Sequence, residues 1–218
     1  MFLKIWNSLA LLLTVITLSA LIEACSSKSV NESNPKEMYD DANLDVKNDR
    51  YLLALDKFRI VKNKFSYSNY GALAQLRIGD VYFLEDSFTE SASAYETFVE
   101  LYPKHEKAPY ALFRAGEAYF KDIPSTIQRD MKSAESAISN FTLYLKKYPT
   151  GESVARANEM KTKTYNKLAE KELEVARFYI HRKKADAAKQ RLQKILDRYG
   201  EAPVAAEAKV LIQHLPYE

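Results

Sequence analysis

The sequence lacks the residues that build disulfide frameworks and metal centres. Cys25 is the single cysteine among 218 residues, so no disulfide can form within the chain. Glycine occurs only five times and proline seven times, which is too little for a loop-rich protein. The three histidines, at positions 105, 181 and 214, have no histidine or cysteine at ligand spacing. We therefore expect no metal site.

Signatures of catalysis and of nucleic-acid binding are also missing. The sequence contains no glycine-rich phosphate loop and no Gly-x-Ser-x-Gly nucleophile motif. The net charge is only +3, with 28% charged residues, whereas a nucleic-acid-binding domain needs a dense basic face. Acidic pairs are present, but on charged helix faces they usually serve solvation and side-chain pairing. We expect a protein without catalytic activity, cofactor or nucleic-acid partner.

The N-terminus predicts the compartment. The apolar run 9–22 spans about 21 Å as a helix, short of the roughly 30 Å hydrocarbon core, which favours a signal peptide. The following Ile22-Glu23-Ala24-Cys25 resembles the lipobox of bacterial lipoproteins, in which the cysteine is acylated after cleavage. Glu23 departs from the usual small residue, so a plain secretory signal with an incidental cysteine is the alternative. We expect a signal peptide over 1–24, an acylated flexible tether over 25–33 and a folded domain over 34–218.

The remainder of the chain has a helical pattern, since apolar residues recur at spacings of three and four. Asn34-Pro35-Lys36-Glu37 predicts a helix start, with Asn34 as N-cap, Pro35 at the first helical position and Glu37 closing a capping box. Pro109 and Pro203 are predicted to open two more helices. A long helical segment is expected from about residue 153 to 182.

A repeat becomes visible when segments that end in an aromatic residue are aligned. Each segment has a small residue, then a large apolar residue four positions later, then the final aromatic seven positions after that. The small and large pairs are Ala54 and Phe58, Ser91 and Tyr95, Ala137 and Phe141, and Ala188 and Leu192. The second copy has the spacing of a tetratricopeptide repeat of about 34 residues, and the third copy carries an insertion around 121–129.

A second repeated motif, four residues long, precedes these segments. Gly79-Asp80-Val81-Tyr82 and Gly116-Glu117-Ala118-Tyr119 match each other, and Ala176-Arg177-Phe178-Tyr179 is a third copy. Glycine inside a helix costs about 1 kcal/mol relative to alanine, so close helix contact is expected there. Together the repeats predict an all-α, tetratricopeptide-like solenoid of about four and a half helical hairpins.

The second half of the chain resembles one family in particular. The residues that carry the resemblance are Gln128-Arg129-Asp130, Ala134, Ala137, Phe141, Leu145, Tyr148, Pro149, the run Asn166 to Tyr179, Arg182, Ala187, Ala188, Arg191, Leu196 and Tyr199. This pattern is similar to the BamD (ComL) family of lipoproteins, which belong to the outer-membrane β-barrel assembly machine of Gram-negative bacteria. Tyr39, Ala54, Phe58 and Tyr70 fit less specifically.

The resemblance implies a non-enzymatic scaffold that is lipid-anchored to the outer membrane through Cys25 and faces the periplasm. Serines 26 and 27, with no aspartate after the cysteine, favour that membrane by similarity to known sorting rules. The implied partners are the POTRA domains of the barrel insertase BamA and unfolded outer-membrane proteins, while other assembly lipoproteins remain open as partners. The sequence ends after about one helix of a fifth repeat, where the family usually supplies a second helix, so we expect a less stable or partner-capped end.

A basic stripe is the first candidate surface. Arg191, Lys194 and Arg198 recur at spacings of three and four, and the chain from residue 153 onward holds 14 Lys/Arg against 9 Asp/Glu. By resemblance, Arg191 matches an arginine at the contact with BamA, and the arginine fork suits a carboxylate partner. A solvated helix face is the simpler interpretation of all three.

An aromatic cluster is the second candidate surface. Tyr39, Phe65, Tyr67 and Tyr70 are expected near the first turn between repeats, where Tyr39, Tyr67 and Tyr70 could hold the aromatic-ended tail of an unfolded barrel protein. Packing between the first two repeats is the simpler role. A different tetratricopeptide lipoprotein, one that scaffolds peptidoglycan synthesis or cell division, would explain the anchor and the repeats equally well, but not the run 166–179.

Overall fold

A computed structural model describes residues 30–126 and 130–215. In these ranges the chain consists of α-helices joined by turns, with no strand. The helices are α1 Pro35–Lys47, α2 Tyr51–Lys64, α3 Asn69–Leu84, α4 Phe88–Leu101, α5 Ala108–Lys121, α6 Lys132–Lys147, α7 Val154–His181, α8 Ala185–Arg198 and α9 Ala205–Gln213. The predicted all-α class and the long helix near 153–182 are confirmed.

The helices form four consecutive hairpins, α1/α2, α3/α4, α5/α6 and α7/α8, followed by α9. Each helix packs against the next, and the first helices of neighbouring hairpins also meet, as α1 with α3 and α5 with α7. Because each hairpin buries its apolar side against its neighbours, the core is divided into clusters along the solenoid. The predicted solenoid of about four and a half hairpins is confirmed.

Three of the hairpins turn through the same backbone conformation. Asp49, Asp86 and Lys183 each lie in the turn between the two helices, with φ values of 56°, 56° and 55°. This left-handed conformation strains most residues, although aspartate tolerates it better than lysine does. The third hairpin instead contains the predicted insertion between α5 and α6.

Replacing Lys183 with glycine is expected to raise the free energy of unfolding by about 0.5–1 kcal/mol, because glycine adopts positive φ without steric cost. Lys183→Ala is the matched control, since it removes the side chain but keeps the strained backbone. Chemical denaturation followed by circular dichroism measures the difference. Equal stabilities for the glycine and alanine variants would contradict this explanation.

The repeated glycines lie where the helices of one hairpin approach most closely. A Cβ atom at Gly79 would come within 2.8 Å of the Tyr95 ring, and one at Gly116 within 2.8 Å of the Phe141 ring. Both rings are completely buried. The expectation of close helix contact at Gly79 and Gly116 is confirmed.

Helix starts agree with the sequence only in part. The Asn34 side chain accepts hydrogen bonds from the backbone N–H groups of Lys36 and Glu37, and Pro109 lies in the first turn of α5, as predicted. Glu37 does not close a capping box, because its carboxylate accepts instead from the Asn34 side chain and the Asn31 backbone. Pro203 does not open α9. It lies in the preceding turn, which the Ala205 N–H to Ala202 carbonyl bond closes, and the fixed φ of proline suits that position.

Several expectations concern residues outside the described ranges. These are the signal peptide, Cys25 with the first part of the tether, and residues 128 and 129 of the family pattern. Within residues 30–126 and 130–215, every helix is too short or too polar to cross a membrane.

Candidate partner-binding surfaces

A line of polar contacts joins the first helices of successive hairpins. In the first helix of each hairpin, the residue that follows Gly79, Gly116 or Ala176 binds the first helix of the hairpin after it, and Asn43, which follows Ala42, does the same in α1. The equivalent residues are Asn43, Asp80, Glu117 and Arg177. The four contacts, here called the inner ladder, are Asn43–Arg77 at 2.9 Å, Asp80–Tyr110 at 2.9 Å, Glu117–Arg156 at 2.6 Å and Arg177–Glu207 at 2.7 Å. One position in each repeat therefore makes a polar link to the next hairpin in the described chain.

At the centre of the inner ladder, two tyrosines share one carboxylate. The hydroxyls of Tyr95 and Tyr110 both donate to the same oxygen of Asp80, at 2.6 and 2.9 Å. Although the residue as a whole is 42% exposed, desolvation of its hydroxyl and the adjacent Asp80 carboxylate raise the pKa of Tyr110 to about 12. Arg114 lies 3.8 Å from the centre of the Phe83 ring and also donates to Glu117. These contacts make a rigid polar joint between the second and third hairpins.

The inner ladder was not predicted, but the sequence did carry a signal for the ion pairs that lie beside it within each first helix. Arg77 and Asp80, and likewise Arg114 and Glu117, form ion pairs three residues apart at 2.8 and 2.6 Å. In the fourth hairpin the same two positions hold Glu174 and Arg177, with the charges reversed, and they pair at 3.2 Å. A pair whose signs reverse together between repeats indicates that its two members contact each other.

The basic stripe is partly engaged within the chain. Arg191 Nη1 donates to one oxygen of Glu172 at 3.0 Å, and Lys194 Nζ donates to the other at 2.5 Å. Glu172 lies on α7 and is buried, so its charge needs these two partners. Burial alone would raise the pKa of Glu172, but the hydrogen bonds and charges of Lys194 and Arg191 outweigh it and lower that pKa. Arg191 and Lys194 therefore join α8 to α7 while their own side chains stay partly exposed.

Glu172→Gln is expected to lower the free energy of unfolding at neutral pH. In acid the variant and the parent should be about equally stable. A carboxyl group whose pKa is lowered by folding stabilises the fold above its unfolded value, near 4.5, and loses that contribution as pH falls through the folded value. Denaturation of parent and variant over a pH series measures the gap between them. The difference in free energy of unfolding between parent and variant should become smaller below pH 4.5. A difference that is the same at every pH would show that the charge of Glu172 does not stabilise the fold.

Arg198 differs from the other two cations of the stripe. It is exposed, and among the described residues its side chain has no ion pair or hydrogen bond. It borders a small cavity whose wall includes the Tyr165 and Tyr199 rings, with ring centres 5.8 Å apart. The stripe thus presents one available cation, Arg198, beside two that are shared with Glu172.

The aromatic cluster is only partly a surface. Tyr39 packs against Phe58 and Tyr70 with ring centres 5.5 and 5.6 Å away, and Phe65 adjoins the same apolar cluster. Tyr67 is fully exposed and lies outside that cluster. Tyr39 and Tyr70 therefore close the contact between the first two hairpins, whereas Tyr67 is available to a ligand.

Potential metal ligands are scattered over the described residues. No group of three potential metal ligands occurs in residues 30–126 and 130–215. His105 is a local structural residue, since its ring contacts the Asn69 side chain at 3.2 Å and accepts from the Lys107 N–H at 3.0 Å.

Comparison with known proteins assigns these repeats to a family. The family model described as "YfiO: Outer membrane lipoprotein" matches residues 31–215. The chain is 23% identical to the outer membrane protein assembly factor BamD of Neisseria meningitidis, over 93% of this chain and 82% of that protein. It is 24% identical to BamD of Vibrio cholerae, over 87% and 83% of the two chains, and 26% identical to BamD of Pasteurella multocida, over 92% and 81%. The chain therefore belongs to the YfiO family of outer membrane lipoproteins.

Proposed function

We propose that the protein is a non-catalytic lipoprotein component of the outer-membrane β-barrel assembly machine. The observation that carries this proposal is the similarity to proteins named outer membrane protein assembly factor BamD along nearly the entire repeat domain. A solenoid suits such a role, since its stacked hairpins offer an extended surface for proteins and peptides.

The proposed location is the periplasmic face of the outer membrane. Acyl chains on Cys25, after cleavage of residues 1–24, would supply the anchor, and residues 25–33 would tether the repeat domain 34–218. Two or three acyl chains give stable attachment, whereas a single chain binds only marginally. The match to a family of outer membrane lipoproteins supports this arrangement.

The proposed docking surface for the barrel insertase BamA is the stripe Arg191, Lys194 and Arg198. Arg198 is free to pair with a carboxylate of a POTRA domain, and Arg191 and Lys194 carry two positive charges against the one negative charge of Glu172. A partner carboxylate could therefore join this cluster without leaving any charge unpaired. Such pairing favours an acidic patch on the partner.

The proposed site for unfolded outer-membrane proteins lies at the N-terminal end, around Tyr39, Tyr67 and Tyr70. Tyr67 would make the direct contact because it is the exposed member of the three. Tyr39 and Tyr70 would support the site from the joint between α1, α2 and α3. An apolar peptide end gains affinity from such a ring by covering it from water.

Depletion of the protein in its host tests the proposal. We expect a general loss of β-barrel proteins from the outer membrane, measured by quantitative proteomics of isolated membranes, and rescue by the parent gene. Normal barrel levels combined with a septation defect would contradict the proposal and favour the scaffold of peptidoglycan synthesis or division.

A further inference from the structure

The outward face of α2 carries three large aliphatic side chains in contact with solvent. Leu52 is 75% exposed, Leu53 45% and Ile60 48%. They lie opposite the buried side of the helix, which holds Ala54, Leu55, Phe58 and Val61. We call Leu52, Leu53 and Ile60 the α2 outer face. Exposed aliphatic residues grouped on one helix face indicate an interaction surface.

The repeat gives an internal comparison for this face. Counted from the small residue of each repeat, the three positions are occupied on α4 by Thr89, Glu90 and Thr97, on α6 by Glu135, Ser136 and Leu143, and on α8 by Asp186, Ala187 and Lys194. Only α2 places a large aliphatic residue at all three. The pattern therefore does not come from the packing of the repeat, which all four helices share.

The charges of α2 are predominantly positive. Lys57 is paired with Asp41 and Asp45, and Arg59 is paired with Asp56 at 2.9 Å. Asp56 lies between Leu52 and Ile60 on the same face, where Arg59 neutralises it, and Lys64 at the edge of the face has no carboxylate partner among the described residues. A helix with an aliphatic face and surplus lysines is typical of segments that lie on an anionic lipid surface.

The course of the chain places α2 close to the predicted anchor. Lys64 Nζ donates to the backbone carbonyl of Glu32 at 2.7 Å, so the C-terminal end of α2 touches the start of the described chain. Val30 packs against the apolar cluster of the first hairpin. The seven residues from Glu32 back to Cys25 span at most about 25 Å when fully extended. The end of α2 therefore cannot move farther than this from the acyl chains of Cys25.

We infer that the α2 outer face rests on the lipid surface of the membrane that holds the acyl anchor, with Leu52, Leu53 and Ile60 inserted at the boundary between headgroups and acyl chains. Lys64, at the edge of this face, then lies near anionic headgroups. This inference rests on the proposed anchor at Cys25. The contact fixes the orientation of the first hairpin, so the remaining hairpins project from the membrane at a defined angle instead of pivoting on the tether.

The test uses the mature acylated protein in vesicles of phosphatidylethanolamine and phosphatidylglycerol. Since Cys25 is the only cysteine and its thiol would be acylated, Leu52→Cys introduces a single reactive thiol for an environment-sensitive fluorophore. Leu101→Cys on α4 is the matched control, because Leu101 is a leucine of similar exposure, 58%, in the next hairpin. Thermal unfolding checks that both variants stay folded. Lipids carrying a nitroxide in the upper acyl chain act as the quencher.

We expect several-fold stronger quenching at position 52 than at position 101, with a blue-shifted emission, and weaker quenching when phosphatidylglycerol is omitted. Equal quenching at both positions in protein that floats with the vesicles would overturn the inference while leaving the anchor intact. Protection of position 52 only in a complex with another protein, without lipid quenching, would overturn it in favour of a protein occupant. Protein that fails to float and lacks acyl mass on Cys25 would overturn the proposed anchor, and the inference with it.

Discussion

Gly116→Ala is expected to destabilise the folded chain by about 1–3 kcal/mol, although alanine is the better helix former. The new methyl group would lie 2.8 Å from the ring of Phe141. That ring is completely buried among other aromatic residues, with Phe113 6.0 Å away between ring centres, so it cannot move aside freely. Urea denaturation of the folded domain, followed by circular dichroism, measures the change.

The fourth hairpin suggests a second substitution that should compensate for Gly116→Ala. The equivalent positions there hold Ala176 and Leu192, both completely buried in one apolar cluster. Gly116→Ala combined with Phe141→Leu therefore transfers a natural pair into the third hairpin. The double variant should be more stable than the sum of the two single changes predicts, by about 0.5–3 kcal/mol. Strict additivity would show that Gly116 and Phe141 do not constrain each other.

Arg191→Glu combined with Arg198→Glu is expected to lower recovery of the barrel insertase by at least about tenfold, which corresponds to about 1.4 kcal/mol. The first change places a carboxylate beside Glu172, and the second removes the one cation of the stripe without a partner among the described residues. Both changes turn a surface suited to acidic groups into one that repels them. Quantitative capture from solubilised envelopes, with tagged protein at matched levels, gives the ratio.

Glu172→Gln separates docking from internal stabilisation. It removes the charge that holds Arg191 and Lys194 but keeps the shape of the side chain and leaves both cations on the surface. If the stripe binds the partner, this variant should retain capture even though its fold is less stable. Loss of capture equal to that of the double charge reversal would mean that the stripe acts only by joining α8 to α7.

The fold was predictable because small and large residues recur at the positions where the helices of each hairpin pack together. Glycine at positions 79 and 116 indicated close helix contact, and the buried rings of Tyr95 and Phe141 fill the space that the missing side chains leave. Such contacts join helices that are adjacent in sequence, so the spacing of small and large residues is sufficient to reveal them. The turn residues Asp49, Asp86 and Lys183 carried no comparable signal, since they share a backbone conformation and not a residue type.

The candidate surfaces were less predictable, because their side chains are partnered across hairpins. The stripe was predicted to bind a partner, with a solvated face as the simpler alternative, and neither interpretation anticipated that Glu172, 19 positions before Arg191 and 22 before Lys194, binds both. The inner ladder joins residues 30 to 39 positions apart, such as Asp80 with Tyr110 and Glu117 with Arg156. Helical periodicity assigns such residues to a face of their own helix but gives no information about which residue lies opposite.

This solenoid protein is, we propose, a component of the outer-membrane β-barrel assembly machine. Affinity capture of the tagged mature protein from detergent-solubilised envelopes of its host, followed by mass spectrometry, tests it most directly. We expect a barrel protein with periplasmic POTRA domains in the eluate and none in a mock capture. Repeated capture of intact, membrane-derived protein without any such partner would contradict it.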